Sequence, residues 1–309
     1  MRALPPETPH RMGYVALAGR PNVGKSTLLN ALLGERLSIV TPRPETTRDR
    51  LRGVLHGPGA QLVLVDTPGI HRPHGRLGEY MNHEALAAIG DADLVVLVAD
   101  ARDGHAGPPR DQVVLEALAH TTRPVLLCLN KVDTVRPRTA LLPLLEVYGK
   151  LRDFAAVVPV SGDTGEGLDT LRGELFGRLP EGVALFPDDA LTDRPERYFV
   201  AEAIREAVLS ETGEEVPYAT AVELERFDER APIPHITASV HVERPGQKKI
   251  MVGARGERIK AIGSRARASV ERLLGRKIFL ELWVKVTPDW TRSAAALTRF
   301  GYERRGKRS

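Results

Sequence analysis

Cysteine is almost absent from this chain of 309 residues: Cys128 is the only one. An intrachain disulfide and a cysteine-built zinc site are thereby excluded. Cys128 lies in the apolar run VLLCLN, where a buried strand position is expected. No apolar run approaches the ~20 residues that cross a bilayer. The N-terminal stretch MRALPPETPHRMG lacks the apolar segment of a signal peptide, so a cytosolic protein is expected. Internal repeats and low-complexity tracts are also missing. What remains is 42% apolar and 27% charged, the balance of a folded globular chain, and its length suits two ordinary domains.

Net charge, +4 overall, is unevenly spread. Residues 1–195 hold 22 Lys+Arg against 24 Asp+Glu, whereas 196–309 hold 22 against 16. Within 244–277 there are 11 basic and 2 acidic residues. That excess points to a polyanion as partner of the C-terminal part, with a solvated charged helix as the plainer alternative.

Apolar runs at 13–19, 61–69, 91–100, 124–133 and 155–163 read as strands. Helical periodicity falls between them at 26–34, 111–120 and 141–151. Alternation of this kind predicts an α/β domain over 12–180, doubly wound, with a mostly parallel sheet and helices on both faces. The proline-rich, acidic segment 181–195 reads as a linker, and 1–11 and 301–309 as an N-terminal extension and a basic tail. Over 196–300 the order changes to helix, strand, strand, helix, strand, with room for one more helical turn: an α+β domain.

GRPNVGKST (Gly19, Arg20, Pro21, Asn22, Val23, Gly24, Lys25, Ser26, Thr27) satisfies the phosphate-loop pattern between a strand and a helix. Backbone N–H groups and a helix N-terminus there face an anion. Lys25 should reach the β- and γ-phosphates, and the Ser26 hydroxyl should ligate Mg²⁺. DTPG (Asp66, Thr67, Pro68, Gly69) follows the next strand. Asp66 is a second metal-side oxygen, and Gly69 offers an unobstructed N–H to a γ-phosphate. NKVD places Asn130, Lys131 and Asp133 at another strand end. A carboxylate at Asp133 can accept from guanine N1–H and N2–H₂, a donor pair adenine lacks, with Asn130 on the opposite edge and the Lys131 stem over the ring. SGD (Ser161, Gly162, Asp163) adds a hydroxyl and the Gly162 N–H near the base oxygen. Together these predict a GTP site.

The polar loop TPRPETTRDR, 41–50, holds Thr47, and next to it Thr46, as candidates to complete the Mg²⁺ shell. HRPHGRLGE, 71–79, reads as a second loop responsive to the γ-phosphate. Lys25, Thr47 and Gly69 are the expected catalytic set. After the DTPG glycine stands Ile70, where Ras-like enzymes carry a water-orienting Gln, so slow intrinsic hydrolysis is expected. His71 is a candidate substitute.

Downstream, VGARGERIKAIG sets glycines two residues apart among basic residues ahead of a helix. Glycines let phosphates approach the backbone, and the helix N-terminus favours anions. Lys248, Lys249, Arg255, Arg258 and Lys260 supply counter-charge. Val252, Gly253, Ala254 and Gly256 form the loop, while Ile259 and Ile262 should line a groove for bases.

The set GRPNVGKST, TTR, DTPG, NKVD and SGD resembles the bacterial GTPases that include the Era, EngA and MnmE families. Resemblance to Era extends over almost the whole chain, through LTDR at 191–194, VERPGQKKIMVGARGERIKAIG and LELWVKV. It implies that residues 196–300 form a type II KH domain whose Gly253–Gly256 loop clamps single-stranded RNA. It further implies binding near the 3′ end of 16S ribosomal RNA, a role in small-subunit assembly, and peripheral association with the inner membrane face. Asn22 matches a residue that in some relatives helps hold K⁺. A monomer is the default. Two readings compete: a membrane-surface signalling GTPase whose basic domain meets anionic lipid, and a GTP-using tRNA-modification enzyme, which would need a catalytic cysteine or a cofactor site.

Overall fold

The computed structural model describes residues 10–104, 110–212, 220–228 and 230–302. Most of the N-terminal extension and basic tail lies outside the described residues, as does Gly213. The chain divides into two compact units. One comprises Met1–Ser38, Thr47–Arg72 and Met81–Asp193; the other comprises Ile39–Thr46, Pro73–Tyr80 and Arg194–Ser309.

Chain order through the first α/β part is β1 (Arg11–Ala18), α1 (Lys25–Leu33), β2 (Leu51–Gly57), β3 (Ala60–Asp66), α2 (Gly75–Asp91) and β4 (Leu94–Asp100). It continues with α3 (Gln112–Leu118), β5 (Val125–Asn130), α4 (Leu142–Leu151), β6 (Ala156–Pro159) and α5 (Leu168–Gly177). Among the described residues the sheet order is β2-β3-β1-β4-β5-β6. Every pairing is parallel except β2 on β3. β4 and β5 are buried along their whole length, as strands covered on both faces must be. Ala16, Val95, Leu97, Leu127 and Leu129 share one core with Ala85 and Ile89 of α2, Val114 of α3 and Leu144 of α4. On the other side Leu28, Leu29 and Leu32 of α1 are fully buried. Each such leucine contributes about 1.5–3 kcal/mol by leaving water. Cys128 is buried in β5, and burial pushes its thiol up, so it is no nucleophile.

Three elements differ from the sequence reading. β2 was not expected: Gly53 and His56 interrupt its apolar pattern. Gly53 is there because a Cβ would come 2.5 Å from Leu33 Cδ1. The second expected loop, 71–79, is already helical from Gly75. The expected linker is a strap on the first unit. Val54 donates to the Leu191 carbonyl at 2.9 Å, and Arg52 pairs with Asp193 at 2.6 Å. The buried Gln61 amide bonds to the backbone of Leu185 and Phe186 at 2.8–3.0 Å.

The second unit contains α6 (Glu196–Glu211), β7 (Ala221–Phe227), β8 (His235–Val242), α7 (Pro245–Val252), α8 (Glu257–Leu274), β9 (Phe279–Val286) and α9 (Ala294–Arg299). Its sheet runs β7-β8-β9, antiparallel then parallel. Val200, Ile204 and Val208 of α6, Met251 of α7 and Ile262, Ala266 and Val270 of α8 pack with Ile236, Ala238 and Val240 of β8. Within the same unit, buried Arg205 of α6 pairs with Glu202 and donates to the Thr46 carbonyl at 2.6 Å. α7 was not foreseen as a helix. Its start is marked by Pro245 in the first turn and by Gln247, whose amide oxygen accepts from the backbone of Glu243 and Arg244 at 3.0 Å.

Candidate functional site

All the nucleotide motifs meet at the carboxyl edge of the larger sheet, where open α/β sheets place their ligands. The phosphate loop follows β1, Asp66 ends β3, Asn130 ends β5, and Ser161 lies just beyond β6. Gly24 turns the chain into α1 with φ 96°. A Cβ there would meet Asn130 Nδ2 at 2.3 Å, and one on Gly19 would meet the Val98 carbonyl at 2.5 Å. These two glycines are required by close approach.

The carbonyls of the loop are turned onto protein donors. Lys25 Nζ donates to Gly19 O at 3.0 Å and Arg20 O at 3.1 Å. Lys131 Nζ takes Asn22 O at 2.5 Å, and Asn130 Nδ2 takes Val23 O at 2.9 Å. With carbonyls so occupied, a loop of this type turns its amides toward an anion. Lys25 is buried, and that burial lowers its ammonium to about 8 despite the pull of Asp66 and Asp111. A buried cation held mainly by carbonyls is poised for a stronger anion.

Asp66 is fully buried, and burial pushes its carboxyl up. Its Oδ2 accepts from Ser26 Oγ at 2.6 Å, Ser38 Oγ at 3.0 Å and Thr47 Oγ1 at 3.4 Å. Ser26 and Thr47 hydroxyls are 2.9 Å apart. Asp66 Oδ1 is buried without a hydrogen-bond partner among the described residues. Hard oxygens from Ser26, Thr47 and Asp66, one of them orphaned, suit Mg²⁺, which takes few protein ligands beside phosphate. Thr46 turns elsewhere: its hydroxyl bonds to Thr41 at 2.7 Å and to Arg43 O at 2.8 Å.

Beyond Asp66, the Thr67 hydroxyl is spent on Leu17 O at 2.7 Å, and Pro68 leads to Gly69. A Cβ on Gly69 would stand 2.5 Å from Pro21 N. Ile70 is 2% exposed and belongs to the core, its N–H donating to Gly19 O at 3.1 Å. His71 Nδ1 lies 2.8 Å from Arg72 O.

At the base end, Asp133 Oδ1 is buried with no partner among the described residues, as a carboxylate awaiting guanine donors would be. Asn130 does more than expected. Its amide ties two loops together, Nδ2 donating to Val23 O and Oδ1 accepting from Gly162 N at 3.0 Å. The Gly162 N–H is therefore also committed. Ser161 is buried and its Oγ accepts from Thr164 N at 3.1 Å, while Asp163 is exposed. Lys131, at φ 68°, reaches Asp100 Oδ2 at 2.8 Å. Burial opposes ionisation of Asp100, but Arg102 and Lys131 outweigh it and hold the carboxyl at about 2. The roles of Asp100, Asp103 and Asp111 were missed in the sequence, where Asp100 read as a strand end and Asp111 as the start of a helix. Arg20 was expected to serve the nucleotide, yet its side chain pairs with Asp103 and Asp111.

In the second unit, α7 ends at Gly253 with φ 73°, Arg255 follows at φ 52°, and Gly256 at φ 79° caps α8. A Cβ on Gly253 would meet Arg258 Cβ at 2.8 Å and Arg258 N at 3.0 Å. Lys248, Lys249, Ala254, Arg255 and Lys260 are exposed, and Val252 and Ile259 half-buried. Arg258 is partly withdrawn: its Nη1 caps α7 through Ile250 O at 2.9 Å. Ile262 needs correction. It is fully buried in the core and supports the groove from beneath, with no surface for a base.

A phosphate loop, an acid for guanine and a Mg²⁺-type oxygen cluster on a mostly parallel sheet define a P-loop GTPase domain, here followed by a KH domain. A model described as 50S ribosome-binding GTPase matches residues 14–131, and a KH domain model matches 215–291. GTPase Era of Geobacter sp. (strain M21) is 45% identical over 96% of this chain and 99% of its own. GTPase Era of Xanthomonas oryzae pv. oryzae is 48% identical over 96% and 98%. Similar solved structures include Era in complex with MgGDPNP and nucleotides 1506-1542 of 16S ribosomal RNA, with TM-score 0.90, 40% identity and coverage of 95% and 99%. An Era variant of Aquifex aeolicus bound to GDP.AlF4- matches with TM-score 0.88, 40% identity and coverage of 94% and 99%. The chain belongs to the Era GTPase family.

Proposed function

We propose that this protein binds GTP with Mg²⁺ and hydrolyses it slowly. Its bound state governs how the KH domain holds single-stranded small-subunit ribosomal RNA near the 3′ end, in the service of small-subunit assembly. The observation that carries this reading is the union in one chain of the Asp133 carboxylate, whose buried Oδ1 has no partner among the described residues, with the basic, left-handed Gly253–Gly256 loop. A relative similar along the whole length holds MgGDPNP and a 16S ribosomal RNA segment at once.

In this reading the amides of Gly19–Thr27 receive the phosphates, and Lys25 sets its charge against the β- and γ-oxygens. Ser26, Thr47 and Asp66 hold Mg²⁺, which when bound neutralises charge on those oxygens. The Gly69 N–H meets the γ-phosphate. Water attacks the γ-phosphorus and the bridging oxygen departs on GDP, so Lys25, Thr47 and Gly69 act by stabilising charge on the transferred group. Ile70, turned into the core, offers water nothing, and slow intrinsic turnover follows. Residues 41–50 respond to the γ-phosphate through Thr47. Lys248, Lys249, Arg255 and Lys260 meet RNA phosphates, and Val252 and Ile259 meet bases.

GTP turnover measured with and without an oligonucleotide from the 16S 3′ end, for wild type and Gly253→Asp, tests the reading. Stimulation that the variant loses supports both sites and their communication; wild type that neither binds nor responds to the RNA overturns the RNA half. Two finer proposals come from the family resemblance. Asn22 helps hold K⁺ beside the phosphates, and equal turnover in K⁺ and Na⁺ would end that idea. The protein works in the cytoplasm and touches the inner membrane face peripherally, which sedimentation with anionic vesicles would read. Among the described residues no helix is long and apolar enough to cross a membrane.

A further inference from the structure

An arginine inside a phosphate loop is expected to present its charge to the phosphates, and Arg20 does not. Its Nη2 pairs with Asp103, just past β4, and its Nε lies 3.2 Å from Asp111 Oδ1 at the start of α3. The second contact is an ion pair without the alignment of a hydrogen bond. Asp111 is fully buried and held from behind by Tyr148 Oη of α4 at 2.6 Å. Asp103 is also approached by Arg110 Nη1 at 3.7 Å. The acids on this side are thus braced by α3 and α4, and Arg20 is the group that ties the phosphate loop to them.

We propose that Arg20 is a positioning residue for nucleotide binding: its ion pairs pin the first residues of the phosphate loop to Asp103 just past β4 and Asp111 just ahead of α3, shaping the loop before phosphates arrive. The inference rests on the GTP-binding reading above. Other anchors of the loop act on its carbonyls at 19, 20, 22 and 23. Arg20 anchors it through a side chain of the loop's opening half, as a fork spanning two carboxylates that a lysine cannot reproduce. A pre-shaped loop binds GDP and GTP alike, so Arg20 should govern affinity and leave the chemical step untouched.

The test measures GDP and GTP affinity and single-turnover hydrolysis for wild type, Arg20→Gln, Arg20→Lys, Asp111→Asn and the double variant Arg20→Gln/Asp111→Asn. Arg20→Gln should weaken GDP and GTP equally, by about tenfold, the scale of one charge-assisted contact. Arg20→Lys should recover only part, hydrolysis at saturation should be unchanged, and the double variant should fall short of the two single losses added together. General loss of stability, followed by thermal melts, would not single out affinity while leaving hydrolysis at saturation unchanged. Wild-type affinities in all variants would overturn the inference while leaving GTP binding intact; wild type that fails to bind GDP would overturn the underlying reading instead.

Discussion

Carrying GDP binding from about pH 7 to about pH 9 should titrate Lys25 out of its charged form. In the nucleotide-free chain burial is the larger influence, lowering the ammonium to about 8 against the opposing Asp66 and Asp111. Phosphate oxygens beside it favour the charged form, so its pKa in the complex lies above that of the free chain. Binding therefore takes up a proton wherever pH lies between the two values. Affinity is full below the free-chain value of about 8 and is lost as pH rises through it. The limiting slope is tenfold, about 1.4 kcal/mol, per pH unit. A group titrating near 8 makes the Kd for GDP rise about tenfold over this range. Isothermal titration in buffers of different ionisation enthalpy reads Kd and proton uptake together. Uptake should peak on the alkaline side, and Lys25→Met should bind weakly with no pH dependence. The range stops short of stronger alkali because guanine N1–H, which Asp133 needs, itself ionises there. A wild-type Kd that is flat across the range, with no proton uptake, would refute the reasoning.

Asp133→Asn removes the candidate acceptor for the guanine donor pair, so GTP affinity should fall roughly a hundredfold by competition binding, while xanthosine triphosphate, which lacks the amino donor, should gain. Ile70→Gln should not create a Ras-like water-orienting residue. The side chain lies in the core at 2% exposure, so the variant should lose about 2–3 kcal/mol in chemical denaturation with turnover no faster. A well-folded variant with accelerated turnover would show the side chain free to reach the phosphate. Gly253→Ala meets both φ 73° and a Cβ approach of 3.0 Å to Arg258 N, so it should cost about 1–2 kcal/mol and weaken RNA binding. GDP affinity of the same variant should stay at the wild-type value.

Much of the nucleotide site was visible in the sequence because its ligand imposes residue type and spacing on short contiguous stretches. GRPNVGKST, DTPG, NKVD and SGD each supply backbone turns that only glycine tolerates, or a charge that only one residue type brings. The α/β class was equally legible, since β4 and β5 are buried on both faces and must be continuously apolar. What escaped were features defined by distant partners. β2 hides because Gly53 makes room for Leu33, a constraint written on another helix. α7 hides because its apolar residues are few, and its Pro245 and Gln247 are signals of a start without the periodicity that usually follows. The strap 181–193 looked like a linker because its ties to β2 and β3 run mostly through its own backbone N–H and C=O groups, to which composition is blind.

Asn130 and Arg20 carry this furthest. Both stand inside motifs and were assigned to the ligand on that ground, yet their side chains hold protein to protein: Asn130 joins Val23 to Gly162, and Arg20 joins the phosphate loop to Asp103 and Asp111. A motif records every residue that the ligand's geometry demands, including those that only keep the ligand-touching groups in place. Removing a ligand contact such as Asp133 should change which nucleotide is preferred. Removing a brace such as Arg20 should weaken all guanine nucleotides by the same factor. That difference in selectivity, read on the two variants with GDP, GTP and xanthosine triphosphate, separates the two kinds of motif residue where sequence alone gives them equal standing.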